Sequence, residues 1–200
     1  MNDLTTLSNY PRKTSDHLVL SFGRFNPPTA GHERLLNALK ATAGEKSDYN
    51  VFVSHSQDKK KNPLSSYKKV QIMRAMFPAH AANIIYDQSV RTIVQTLQSA
   101  SRRGYKKVTL VAGSDRLEEF ELLVHKYNKI EFTFDFVQVV SAGSRSSSSS
   151  DAVAAISSSI ARAAAVKGDF ERFSQLTPRA SAGELTKMLY NEVRSGLCKS

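Results

Sequence analysis

The stretch Gly23-Arg24-Phe25-Asn26-Pro27-Pro28-Thr29-Ala30-Gly31-His32 decides how this chain is read. It follows the apolar run Leu18-Val19-Leu20 and leads straight into a helical pattern, so a strand enters a turn rich in Gly and Pro and a helix leaves it. Such a turn points backbone N–H groups and the positive end of a helix at one spot, where anions bind favourably. His32, at the helix start, adds a donor for a charge-assisted hydrogen bond. No Lys-Ser or Lys-Thr follows Gly31, which excludes a P-loop, and the Gly-x-Gly-x-x-Gly dinucleotide fingerprint is absent.

Working outward, extended apolar runs alternate with amphipathic stretches. Strands are predicted over 17–22, 50–54, 84–86, 107–112 and 131–140, and helices over 32–43, 65–76, 88–102 and 114–127. Alternation of this length implies right-handed βαβ units: an α/β, Rossmann-like parallel sheet with helices on both faces, whose ligand crevice lies at the carboxyl ends of the strands. Gly31-His32, Ser54-His55-Ser56 and Gly113-Ser114-Asp115 each follow a predicted strand, so all three are expected at that edge. C-terminal helices follow over 157–166, 169–176 and 182–194. The expected organisation is an N-terminal extension (1–16), one nucleotide-handling domain (17–167) and a C-terminal helical extension (168–200) packed on the same domain. The serine-rich stretch 143–151 has nothing apolar to bury and reads equally as a linker or as a lid carrying Arg145 over bound phosphates.

The 200 residues, 40% hydrophobic and 23% charged, suit one domain with a substantial core. No apolar run approaches the ~20 residues of a membrane span and residues 1–12 lack a signal-peptide core, so a soluble, cytoplasmic protein is expected. The single cysteine, Cys198, excludes an intramolecular disulfide. A net charge of +10 favours polyanionic partners, and nucleoside triphosphates and nucleic acids satisfy that equally. Nucleic acid is the less favoured partner, because Lys and Arg are spread along the chain and Trp is absent.

A second anion-binding candidate is Ile156-Ser157-Ser158-Ser159-Ile160-Ala161-Arg162. Serines at a helix start cap its N–H groups, and an arginine in the first turn chelates two phosphate oxygens. Thr29-Ala30-Gly31-His32 and the preceding Gly-x-Phe-x-Pro-Pro resemble the signature of the HxGH nucleotidyltransferase superfamily, in particular its nicotinamide-mononucleotide adenylyltransferase-like members. The serine segment is similar to that superfamily's ISSTxxR motif, with Ser159 where Thr is usual. Residues 141–171 also resemble a phage-encoded, cytidylyltransferase-like branch that includes head-core proteins, although no Arg-Thr-x-Gly-x-Ser-Thr occurs.

The resemblance implies a HUP-type fold and transfer of a nucleoside monophosphate, AMP first and CMP second, from a triphosphate to a phosphorylated small-molecule acceptor, with release of pyrophosphate. It assigns His32, Thr29, Arg162 and Ser159 to the chemistry. It assigns Gly23, Arg24, Phe25, Gly31, Gly113, Asp115, Ile156, Ser157 and Ser158 to the nucleotide. It brings Mg²⁺ as cofactor, held mainly by phosphates and not by protein ligands. Ser54, Lys61, Lys69 and Arg145 are the candidates for the acceptor: Ser54 and Lys61 lie in the basic loop that follows the second strand, and Lys69, on the next helix, aligns with a basic residue of the related adenylyltransferases. Gly113-Ser114-Asp115 reads equally as a nucleotide contact and as a helix cap. The competing reading is a basic, nucleic-acid-associated virion or head-core protein that keeps the fold without turnover.

Overall fold

Leu18, Val19 and Leu20 form the middle of β1 (His17–Gly23) and are buried on both faces of the strand, as a parallel sheet requires. In the computed structural model, which describes residues 10–143, 158–178 and 183–198, β1 is followed by α1 (Ala30–Ala43), β2 (Asp48–Val53), α2 (Ser66–Met76), β3 (Ile84–Ile85) and α3 (Ile93–Arg102). Then come β4 (Lys107–Ala112), α4 (Leu117–Tyr127), β5 (Phe136–Ser141), α5 (Ser158–Lys167), α6 (Phe170–Gln175) and α7 (Glu184–Cys198). The five strands form one sheet in the order β3-β2-β1-β4-β5, parallel at each of the three pairings whose register is defined. In the register His17 pairs Lys107, which pairs Phe136. This is the α/β, Rossmann-like architecture expected, with C-terminal helices following.

The chain divides into two compact units: Met1–Phe22, Leu35–Phe52 and Ala82–Ser144 in one, Gly23–Arg34, Val53–Ala81 and Arg145–Ser200 in the other. The first unit holds the sheet. Leu18, Leu20, Phe52, Val108 and Leu110 pack with Ile93, Leu97 and Ala100 of α3 and with Phe120 and Val124 of α4. Val19 and Val111, of opposite parity, are equally buried, so both sheet faces are covered. In the second unit α5, α6 and α7 pack on one another and α7 meets α2. Tyr190 of α7 receives Phe170 and Phe173 edge-on, at 5.2 and 5.3 Å. Gly196 sits so close to Pro63 that a Cβ would lie 2.6 Å from its carbonyl oxygen.

Several element boundaries differ from expectation. The strand predicted over 131–140 starts only at Phe136, because 128–135 is a loop. The Asn128 side chain accepts from Phe134 N and donates to its carbonyl, turning Phe132 and Phe134 into the core. Phe132 makes only an isolated bridge to Asn128, so the alternating Phe132 and Phe134 carry a strand-like pattern outside any strand of the sheet. α3 begins at Ile93 instead of 88, since Thr92 and Gln95 close a reciprocal capping box there. The helix predicted from Ser114 opens as a 3₁₀ turn over Ser114–Arg116. α7 extends to Cys198, past the predicted end at 194.

Candidate nucleotide site

Gly23 ends β1, and a Cβ there would lie 2.7 Å from the Phe25 ring. That ring is buried and holds Phe25 in the left-handed region, φ 46°, a conformation a bulky residue adopts only when its surroundings enforce it. Asn26 follows, joined to Pro27 by a cis peptide bond. Its buried amide pairs with one backbone residue in both directions, Nδ2 donating to Leu64 O and Oδ1 accepting from Leu64 N, both at 3.1 Å. The turn is thereby stapled to the loop that leads into α2.

Thr29 is fully buried, and its carbonyl accepts the first N–H bonds of α1, from His32 and Glu33. Thr29 N–H donates to His32 Nδ1 at 3.0 Å, and Thr29 Oγ1 lies 2.9 Å from the same nitrogen. An Nδ1 that accepts an N–H carries no proton itself, so the ring proton sits on Nε2 and that nitrogen is the donor. The Phe25 ring lies 4.8 Å from the imidazole and fixes its plane. The expectation that the start of α1 offers its N–H groups to an anion needs one correction. Ala30 N–H already donates to Leu176 O, at 3.0 Å, so that donor is spent within the protein.

The serine–arginine segment meets this turn within the same unit. Ser158 Oγ donates to Pro27 O at 2.9 Å, and Arg162 Nη1 donates to Asn26 O at 2.6 Å. Burial first, and the neighbouring Arg24 guanidinium second, push Arg162 below the usual arginine range, against an opposing pull from Asp58. Arg24 is exposed and Arg162 half-buried, so two like charges are held together where an intervening anion relieves their repulsion. Ser159 is exposed at the first turn of α5. Ile156, Ser157, Arg145 and the serine-rich stretch from 144 to 151 lie outside the described residues.

The loop after β2 is fastened at its first residue, Ser54. Ser54 N donates to Gly23 O at 2.8 Å. Lys69, fully buried on α2, gives its ammonium to Ser54 O, and desolvation lowers its pKa to about 8. Lys69 therefore holds the loop from inside and does not present its charge to solvent, unlike the exposed Lys61. The Ser54 hydroxyl is buried without a hydrogen-bond partner, a donor available to a ligand. Asp58 rigidifies the basic tip, accepting from Lys60 N, Lys61 N and Asn62 Nδ2, and these bonds hold its carboxyl well below the usual range. Sequence reasoning assigned no role to Asn26 or Asp58. The Asp-Lys-Lys-Lys-Asn wording carries a signal for the second, an Asx turn.

Gly113 and Asp115 belong to the other unit, at the carboxyl end of β4, and Asp115 is exposed. Among the described residues no three His, Cys, Asp or Glu side chains gather as a metal cage. No helix among them is long and apolar enough to cross a membrane.

Residues 20–164 match the model of the cytidylyltransferase-like family. The chain belongs to the cytidylyltransferase-like family. The match spans the turn, the basic loop, the end of β4 and Arg162, and membership supports nucleotidyltransferase-type chemistry on a nucleoside triphosphate. No curated protein matches this family member in sequence.

Proposed function

We propose that this protein transfers a nucleoside monophosphate, AMP in the first instance and CMP in the second, from its triphosphate to a phosphorylated small-molecule acceptor. An acceptor phosphate oxygen attacks the α-phosphorus, the bond to the β-phosphate oxygen breaks, and pyrophosphate leaves with that electron pair. The observation that carries this reading is the meeting of two distant segments: Arg162 and Ser158 bind the carbonyls of Asn26 and Pro27, three residues or fewer from Thr29 and six or fewer from His32. Nε2–H of His32 donates to a phosphate oxygen, and Arg24 and Arg162 neutralise charge as it moves onto the leaving pyrophosphate. Thr29 sets the imidazole, and Ser159, Ser54 and Lys61 supply further donors to nucleotide and acceptor phosphates. Magnesium fits as an ion that arrives on the phosphate oxygens, since the donors gathered here are cationic or neutral, and it would supply further charge neutralisation.

The test is pyrophosphate release, with Mg²⁺, from each of the four nucleoside triphosphates against a panel of phosphorylated acceptors. Release from ATP or CTP with one acceptor class is expected. A triphosphate that binds but is never turned over with any acceptor overturns the transferase reading in favour of a nucleotide-binding virion component.

A further inference from the structure

Lysine and arginine look dispersed in the sequence, but the fold of the first unit gathers many of them at the amino-terminal edge of the sheet. Because β1 and β4 are parallel and in register, Asp16, just before β1, and Lys106, just before β4, meet: Lys106 N and Lys107 N both donate to Asp16 O. The next strand joins the same edge, with Asp135 N donating to Lys106 O. Residues 10–16 lie across this edge. Arg103 stacks 4.0 Å from the Tyr10 ring centre and donates to Pro11 O, while Ser15 Oγ donates to Lys46 O.

The carboxylates here are already engaged. Asp16 pairs with Lys13 at 2.6 Å, and the Lys13 hydrogen bond and charge, with Lys106 and Lys107 beyond, hold its carboxyl below the usual range. Asp48 accepts from Thr14, Ser15 and Tyr105. Asp135 lies 4.0 Å from Lys129, and Glu131 accepts from Gln98. Glu45, exposed beside Lys46, is the remaining acidic group on these loops. By contrast Arg12, Lys46, Arg102, Lys106 and Lys107 are all exposed and none forms an ion pair among the described residues.

We propose that this edge is a docking surface for the phosphate backbone of duplex nucleic acid, a function separate from nucleotide transfer. From β2 to β5 the edge crosses three strand spacings of ~4.8 Å, about 14 Å, over which a duplex presents about eight phosphates. The surface reads charge and not bases: the Tyr10 ring is covered by Arg103, Tyr105 is buried, and Phe136, edge-on against His17, is the one exposed aromatic ring among the described residues of this edge. Among the described residues there is therefore no row of stacking platforms for a single strand. Nor do the described residues of this edge form the broad apolar face with which proteins enter a membrane surface.

The test is fluorescence polarisation of the full chain with a labelled 20-base-pair duplex of arbitrary sequence, at 50 and 200 mM salt. Five phosphate contacts give a log–log salt slope of about −4.5, hence about 500-fold weaker binding at the higher salt. Lys106→Gln/Lys107→Gln lowers the slope by about 2, and Arg12→Gln/Lys46→Gln does the same independently. Lys167→Gln/Lys187→Gln, which removes equal charge from exposed sites on α5 and α7, leaves it unchanged. The pyrophosphate assay is unaffected in all three. Equal losses in the three pairs overturn the proposal in favour of bulk charge. So does absence of duplex binding, preference for a single strand by tenfold or more, or retention by phosphatidylserine vesicles alone.

Discussion

Two cationic regions of this protein use the same side chains in opposite ways. Around the turn that follows β1, Arg162 is half-buried, hydrogen-bonded to Asn26 O and held beside Arg24, so few charges are fixed tightly in place. At the amino edge of the sheet Arg12, Lys46, Arg102, Lys106 and Lys107 are exposed, and their number matters more than their geometry. A site that must neutralise a reacting phosphate benefits from preorganisation, because no reorganisation is then needed as charge moves. A surface that holds a uniform polyanion benefits from many weak, salt-screened contacts.

That contrast breaks most sharply on the turn. His32→Ala and Arg162→Ala are each expected to lower kcat/KM for pyrophosphate release by about 10² to 10³, with duplex affinity at the amino edge unchanged. Thr29→Val should cost only about tenfold or less, since the backbone N–H still holds Nδ1 of His32. Wild-type turnover in both alanine variants would remove the turn from the chemistry.

Next in size is Asn26→Leu, which leaves the N–H and carbonyl of Leu64 buried without partners. A loss of about 2–4 kcal/mol in urea unfolding is expected, and a loss below about 0.5 kcal/mol would mean the staple does not hold the turn.

Lys69 sharpens the comparison through pH. The unfolded chain keeps that proton to the ordinary lysine range, near 10.5, whereas the folded one releases it at about 8. Between those values the unfolded state binds more protons, so the burial penalty, fully present below pH 8, is relieved as pH rises. Stability should climb with pH by up to about 3 kcal/mol from this group, and Lys69→Met should flatten that rise. Parallel stability curves for the two proteins between pH 7.5 and 10 would refute the assignment.

The smallest effect concerns salt. Raising it from 50 to 200 mM should weaken triphosphate binding by less than about tenfold in a thermal-shift titration, because partly buried charges are screened less than exposed ones. A loss as steep as that of the duplex would erase the distinction between the two regions.

Much of the sheet was legible because buried parallel strands are written as unbroken apolar runs, as in Val108–Ala112. The loop containing Phe132 and Phe134 misled, since alternation records which side chains are buried and not whether a neighbouring strand pairs with them. The turn and Arg162 were readable from local wording. The staple between Asn26 and Leu64, the burial of Lys69 and the gathering of cations at the amino edge were not, because each depends on residues brought together from separate segments of the chain.

The contact between Gly196 and Pro63 couples the end of α7 to the basic loop, and the protein's sole thiol, exposed Cys198, lies two residues beyond it. The chain thus comes with its own attachment point for a fluorophore. A dye there sits beside the 57–63 loop, so a displacement of that loop would change its surroundings and be readable in the unmutated protein.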